Sequence, residues 1–298
     1  MKKPEISGNS RLSQKYAAWG WVFVSPAALL IFALSFFPMI QAFALSLQSG
    51  LGNNLRFTGL RNYIRLLQDG VFLASVANVF TYLIIQVPIM LLLALVLALA
   101  LNMKDLKGRD LFRTMIFLPC ATALVSVALV FRAFFSLDGL VNFILIKANL
   151  IASPVSWLID GFWAKFLIML VMTWRWTGYN TIFYLAGLQN IDRSVYEAAR
   201  IDGASPLQQF FRITLPLLKP VIIVTTIMST NGTLQLFDEV KIISPLGGLK
   251  ATISISQYIY NLFFFNIPQL GYASAASYSI LFMVAILSLI QMKIGDNT

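Results

Sequence analysis

The residue types in this 298-residue chain leave little room for covalent or metal chemistry. Histidine is absent and the single cysteine, Cys120, lies within an apolar run, so an internal disulfide and a Cys/His metal cluster are both excluded. The sequence has no Gly-x4-Gly-Lys-Ser/Thr motif to cradle the phosphates of ATP, and its nearest approach, Gly247-Gly248-Leu249-Lys250, is wrongly spaced. We therefore expect no catalytic site and no cofactor bound by this chain itself.

A second group of residues has the chemistry for binding a sugar. Aromatic rings stack on sugar rings, while side-chain amides and hydroxyls exchange hydrogen bonds with sugar hydroxyls. Polar residues within a membrane usually face the interior of a helix bundle or a water-filled cavity. The alternative is that the aromatics form an interfacial belt and the amides join helices. The aromatic, amide and hydroxyl residues considered together favour an uncharged substrate path. Its predicted lining is Trp176, Tyr179, Asn180, Asn231, Thr233 and Gln235.

One polar stretch, 190–216, separates two apolar runs and has the signals of a helix, a turn and a second helix. Asp192 or Ser194 is placed to cap the first helix, and Gly203 ends it. Small residues leave one side of this helix slim, which suits insertion into a groove of another protein. The alternative is a hairpin on the membrane surface with no partner. The second helix opens with an N-cap, a proline and the glutamine of a capping box, namely Ser205, Pro206 and Gln208.

The same stretch resembles a family motif. Glu197-Ala198-Ala199, then Gly203, then Ile213-x-Leu215-Pro216 match at fixed spacing the EAA loop of permease subunits of bacterial binding-protein-dependent ABC importers. The residues of 196–204 are similar to those of the carbohydrate-uptake branch, which includes maltose, multiple-sugar and glycerol-phosphate permeases. The resemblance implies that a cleft of an ATPase subunit receives this loop through Tyr196, Glu197, Ala198, Ala199, Asp202, Gly203 and Ala204.

The resemblance implies partners as well as a role. The chain would be a permease for an oligosaccharide or related carbohydrate, and a second homologous permease would complete the translocation path. Two ATP-binding subunits would bind and hydrolyse ATP, so this chain would not be an enzyme, and an extracytoplasmic sugar-binding protein would deliver the substrate. The alternative is a secondary carrier or channel for a small polar solute, but such proteins usually carry intramembrane acids or inverted repeats.

Composition places the chain in a membrane. Hydrophobic residues make up 58% and charged residues 11% of the sequence, and the mean hydropathy is +0.78. So little polar surface cannot cover a soluble globule of this length. The formal charge of +10 reflects lysines and arginines in short loops between apolar runs, which is the pattern that orients a membrane protein and not one that binds nucleic acid.

The fold class predicted is all-α, a single domain over 1–298 with six membrane spans. A span requires about 20 mostly apolar residues. Arg132 and Arg175 fall inside two of the spans; snorkelling explains Arg132, and snorkelling or an ion pair is favoured over contact with an anionic substrate for Arg175. Pro119 is expected to kink or open the third span. The predicted spans are 19–47, 76–101, 114–135, 163–185, 217–237 and 273–292.

Two further elements of the family pattern lie between spans. Phe57 to Tyr63 contains Gly-Leu-x-Asn-Tyr, and its arginines favour an ordered external helix from Leu60 to Leu67. A second Gly-Leu-x-Asn turn occurs at Gly139 to Asn142. The external helix is expected to lie in the membrane interface, and contact with a binding protein is the functional alternative.

The distribution of lysine and arginine predicts the orientation. The two tails, the second-to-third loop and the 190–216 loop together with Lys219 carry thirteen of these residues, and the loops of the other face carry seven, excluding Arg132 and Arg175. The positive-inside rule then puts both termini and the 190–216 loop in the cytoplasm of a multi-pass protein of the bacterial inner membrane.

This orientation can be tested by labelling. A cysteine at Gln208 should react only from the cytoplasm, and a cysteine at Asn142 only from outside. Impermeant thiol reagents applied to intact cells and to inverted vesicles distinguish the two sides. The reverse pattern would contradict the count of charges.

Overall fold

The computed structural model describes residues 11–51, 54–103, 106–244, 250–265 and 267–296. The chain is mostly helical. Three π-helical segments, π1 (Phe32–Phe36), π2 (Tyr82–Gln86) and π3 (Phe210–Thr214), interrupt longer helices. The α-helices are α1 (Arg11–Ile31), α2 (Phe37–Ser46), α3 (Arg61–Gln68), α4 (Gly70–Thr81), α5 (Val87–Asn102), α6 (Arg109–Ala121), α7 (Leu124–Phe134), α8 (Leu140–Lys147), α9 (Gly161–Gln189), α10 (Arg193–Ile201), α11 (Pro206–Gln209), α12 (Leu215–Leu234), α13 (Asp238–Ile243), α14 (Ile255–Phe264) and α15 (Leu270–Asp296).

Four helical segments among the described residues are long and apolar enough to cross a membrane. They are Trp19–Ser46, Gly70–Asn102, Pro206–Leu234 and Leu270–Gly295. These segments overlap the first, second, fifth and sixth predicted spans. The fifth begins inside the polar stretch 190–216, because α11, π3 and α12 follow one another without a break. The second helix of the predicted helix-turn-helix is therefore the start of a span.

The third predicted span is not one straight helix. Helices α6 and α7 meet at 95°. The break falls at Thr122 and Ala123, whose ψ angles of 143° and 127° are extended. It lies three residues beyond Pro119, the residue predicted to disturb this span. A bent pair can still form a single broken span, which would make five candidate spans in the described part of the chain.

The fourth predicted span corresponds to α9, a continuous helix of 29 residues. It is absent from the set of sufficiently apolar helices because it carries Lys165, Arg175 and several amides and hydroxyls. Many of its residues are nevertheless buried, since α5, α6, α12 and α13 pack around it. At Gly178 a side chain would collide with the carbonyl oxygen of Ile116, so glycine allows α6 to approach closely. A helix enclosed by other helices does not have to be apolar.

The all-α prediction misses one small element. Strands β1 (Gln48–Leu51) and β2 (Asn54–Phe57) pair antiparallel, with Gln48 opposite Phe57, directly after the first span. The external helix predicted over Leu60 to Leu67 is present as α3. Asn62 of the Gly-Leu-x-Asn-Tyr element is buried. Its side-chain amide donates to the carbonyls of Ser46 and Gln48 at 2.9 and 2.7 Å, so α3 is tied to the end of the span.

The second Gly-Leu-x-Asn turn works in the same way. Asn142 is buried, and its amide donates to the carbonyls of Leu137 and Val155, each at 3.0 Å. Its carbonyl oxygen accepts the indole N–H of Trp157 at 2.9 Å. Because Asn142 is enclosed, the exposed Ala148 beyond α8 is the better labelling position for the orientation test.

Asp69 is the residue between α3 and α4, and its side chain joins α4, α14 and α15. One carboxylate oxygen caps α4 by accepting the amides of Val71 and Phe72 at 2.8 and 3.1 Å. The other accepts the hydroxyls of Tyr258 and Tyr272 at 2.8 and 3.0 Å. Burial alone would raise the pKa of Asp69, but these hydrogen bonds outweigh it and hold the pKa below its usual range. The ionised carboxylate thus fastens α4 to α14 and α15.

Replacing the charge should loosen this junction. Asparagine still caps a helix, so Asp69→Asn removes the charge-assisted bonds to the two tyrosines while keeping the cap. We expect the thermal unfolding midpoint in detergent to fall by roughly 3 °C or more at pH 7. Because the folded pKa is depressed, this stabilisation is present above the ordinary carboxyl pKa of 3.8 and is lost as pH falls through the lower folded value.

The difference in unfolding midpoint between the wild type and Asp69→Asn should therefore become smaller at acidic pH. Tyr272→Phe, which deletes only one of the hydroxyl donors, should give an intermediate midpoint. An unchanged midpoint for Asp69→Asn at pH 7 would show that this carboxylate does not hold the helices together.

Candidate functional site

A cavity of about 260 Å³ opens between π2, α5, α9, α12 and α13. Five of the six residues predicted for the substrate path line it: Trp176, Tyr179, Asn180, Thr233 and Gln235. Residues three and four apart on a helix share a face, which is how α9 presents the first three of them together. Thr233 and Gln235 come from the end of α12 and the residue after it.

The aromatic and amide groups of α9 support one another. The rings of Trp176 and Tyr179 meet edge to face, with centroids 5.8 Å apart and an interplanar angle of 90°. Asn180 is buried, and its amide N–H donates to the backbone carbonyl of Trp176 at 3.0 Å. Trp176, Tyr179 and Asn180 therefore support one another along one wall of the cavity.

Asn231 is placed differently from the other five. It is half-buried on α12 and is not among the residues that line the cavity. Its side-chain oxygen is buried without a hydrogen-bond partner. Because Asn231 does not line this cavity, its assignment to the substrate path remains a prediction.

Two lining residues come from the second span, which the sequence reading did not assign to the path. Gln86 closes π2 and is 2% exposed, and its amide N–H points to the sulfur of Met90 at 3.4 Å. The side-chain oxygen of Gln86 has no partner. The available signal was a glutamine two residues before Pro88 in an otherwise apolar run, since a buried amide in a membrane requires a reason.

The cavity differs from the uncharged path that the sequence predicted, because Asp238 and Glu239 of α13 also line it. Asp238 is exposed and Glu239 is buried. Burial raises the pKa of Glu239, although its own backbone N–H, the charge of Arg175 and the indole N–H of Trp176 all favour the ionised form. These carboxylates lie three and four residues after Gln235 in the chain, and they reach the cavity because α13 folds back against α7 and α9.

Arg175 has a structural contact that neither reading of the sequence included. Its guanidinium donates to the carbonyl of Thr122, the first residue of the break between α6 and α7, at 3.0 Å. It also lies 5.5 Å from the centre of the Trp176 ring. A carbonyl freed by a helix break must be paired inside a membrane protein, and Arg175 supplies the donor. The bend and the cavity wall are thus connected through one side chain.

The polar stretch 190–216 forms a second candidate site. Asp192 caps α10 by accepting the amide of Ser194 at 2.9 Å, and Gly203 turns the chain with φ of +78°. Ser205 and Gln208 form the predicted capping box. The Tyr196 hydroxyl lies 2.9 Å from that of Thr214, which joins α10 to the start of the fifth span.

The seven residues assigned to ATPase coupling present a continuous surface. Glu197, Ala198, Asp202 and Gly203 are exposed, and Tyr196, Ala199 and Ala204 are half-buried. Behind them a cleft of about 540 Å³ lies between α10 and the end of α5. The cleft contains Glu197 together with the basic residues Arg193 and Arg200. α10 therefore offers a slim outer face and a charged inner one.

Comparison with known proteins identifies the family. Residues 66–294 match the model of the binding-protein-dependent transport system inner membrane component. The chain belongs to this family. It is thus an inner-membrane permease, as the EAA motif indicated, and the matched region includes both the cavity and the 190–216 loop.

Relatives match along nearly their whole length. The chain is 50% identical to the lactose transport system permease protein of Rhizobium radiobacter, covering 96% of each. It is 34% identical to the trehalose/maltose transport system permease protein of Thermococcus litoralis, again over 96% of each. Among solved structures, a bacterial ABC transporter involved in the import of the acidic polysaccharide alginate superposes with a TM-score of 0.85 at 24% identity, covering 97% of this chain and 99% of that one. The last likeness supports the fold.

Proposed function

We propose that this permease forms one half of the sugar path of an ABC importer, and that the cavity between α9 and α12 is its part of that path. The observation that carries the proposal is the lining itself, in which an aromatic pair stands beside amides and hydroxyls. The names of its relatives, which transport lactose and trehalose or maltose, support a carbohydrate as substrate. The sugar itself is bound only weakly, as release into the cytoplasm requires.

The second part of the proposal concerns energy coupling. ATP-binding subunits dock on the surface from Tyr196 to Ala204 in the cytoplasm, and both termini of the chain lie on the same side. This role is supported by the exposure of Glu197 and Ala198 and by the direct continuation of the loop into α9 on one side and α12 on the other. Movement of the loop then reaches both cavity walls without passing through a flexible linker.

The remaining partners are a second homologous permease and a sugar-binding protein outside the membrane. A solved alginate transporter in complex with an alginate pentasaccharide-bound periplasmic protein has the same fold, with a TM-score of 0.82, which supports a binding protein for this chain. A secondary carrier would not require the exposed loop, and the family match favours the importer. Alternating exposure of the cavity then follows ATP-driven rearrangement of the subunits.

Alanine substitutions in the cavity should impair transport selectively. Tyr179→Ala removes a ring face and Gln235→Ala an amide, so each should reduce sugar uptake by roughly tenfold, the loss expected for about 1.4 kcal/mol of contact. Basal ATP hydrolysis by the assembled complex should not change, because neither residue touches the loop. Uptake by proteoliposomes and phosphate release measure the two activities.

Asn231→Ala serves as the comparison, since this residue lies off the cavity. A smaller loss than that of Gln235→Ala would agree with a path through the cavity. Normal uptake by both Tyr179→Ala and Gln235→Ala would contradict it and place the sugar elsewhere.

Gly203 provides the test of coupling. Its φ of +78° is closed to proline, whereas asparagine tolerates this conformation, and a side chain there would meet open space. Gly203→Pro should therefore abolish uptake and substrate-stimulated ATP hydrolysis in a complex whose membrane spans still fold. Gly203→Asn should retain most of both activities. Normal uptake by the proline variant would remove the loop from the coupling mechanism.

A further inference from the structure

The charge of the cavity has one sign. Asp238 and Glu239 line it, and no lysine or arginine is found among its described lining residues. Two cations, Arg175 and Lys241, lie near the cavity without lining it, and the charge of Arg175 acts on Glu239. Arg175 donates to the carbonyl of Thr122. The ammonium of Lys241 lies 3.6 Å from the centre of the Tyr260 ring.

Some hydrogen-bonding groups of the cavity already have protein partners. The amide of Asn180 donates to the carbonyl of Trp176, and the amide of Gln86 points to the sulfur of Met90. In contrast, the side-chain oxygen of Gln86 is buried without a partner. Asp238 adds an exposed carboxylate.

A buried acceptor without a donor is unfavourable, and a ligand that donates a hydrogen bond to it removes that penalty. Sugar hydroxyls are such donors. A carboxylate or phosphate brings only acceptors, and close to Asp238 it also meets a charge of the same sign. The cavity therefore favours binding of hydroxyl groups and disfavours binding of anions.

We propose that this permease selects neutral, hydroxyl-rich sugars against anionic ones, with Asp238 and Glu239 as specificity-determining residues. The inference rests on the proposed sugar path. Asp238 repels an anionic group directly. Glu239 adds a second carboxylate to the same wall of the cavity, and Glu239→Gln removes its charge. The oxygen of Gln86 accepts a sugar hydroxyl.

The test compares two disaccharides of opposite character, lactose as the neutral probe and digalacturonate as the anionic one. Their binding to the assembled importer in nanodiscs, without its binding protein, is measured by saturation-transfer NMR, so the permease alone discriminates. The wild-type importer should bind lactose at least about tenfold more tightly than digalacturonate. Asp238→Asn and Glu239→Gln should each narrow that ratio by about threefold or more, through tighter binding of digalacturonate.

Asp138→Asn is the matched control, because it removes an exposed carboxylate that does not line the cavity. Its ratio should equal that of the wild type. Equal binding of the two probes by the wild type, or a ratio that neither cavity variant changes, would overturn the inference.

Tyr179→Ala separates this result from a failure of the sugar path itself. If lactose binding depends on Tyr179 while neither cavity variant changes the ratio of lactose to digalacturonate binding, only the inference about charge fails. If lactose binding is independent of Tyr179, the proposed path fails as well.

Discussion

Pairing of polar groups that water cannot reach is the constraint on which this fold depends. Within a bilayer each carbonyl released from a helix must find a donor in the protein. At the bend between α6 and α7 that donor is Arg175, which pairs with Thr122. At the ends of other elements it is a buried asparagine, Asn62 or Asn142. Each of these side chains fixes an irregular segment in place, so the polar residues of this chain shape the structure as much as its apolar ones.

Helices α9 and α12 connect the two candidate sites. Each runs from the 190–216 loop to the cavity, and between those ends they touch repeatedly. The hydroxyl of Thr225 donates to that of Tyr184 at 3.1 Å, and Gly187 allows Leu218 to pack against the backbone of α9. Such contacts pack the two helices into one unit that extends from the loop to the cavity wall. Because Arg175 joins α9 to the bend after α6, the third span is drawn into the same unit.

The sequence was most informative where structure is set locally. The turn at Gly203, the cap at Ser205 and the short helix α3 all follow from residues adjacent in the chain, and the structure contains each of them. The charge of the cavity could not be predicted, because it depends on contacts between distant segments. Glu239, for example, is an ordinary loop acid until α13 folds back on α9. Pro119 predicted a disturbance of the third span, but not the angle of 95° or the position of the break at Thr122 and Ala123. Hydropathy likewise understates α9, since neighbouring helices cover many of its residues.

The three π segments show that a local signal was nevertheless available for part of the cavity. π1, π2 and π3 end two residues before Pro38, Pro88 and Pro216. A proline in a regular helix collides with the carbonyl four residues earlier, and in each case that carbonyl lies inside the π segment, where the wider turn leaves room for the ring. The bulge also rotates the residues around it relative to the rest of the helix. In π2 this places Gln86 against the cavity, and in π3 it lets the polar loop continue into the fifth span without a break. The prolines that appear to interrupt these spans therefore position the functional residues, and they allow each span to remain one helix.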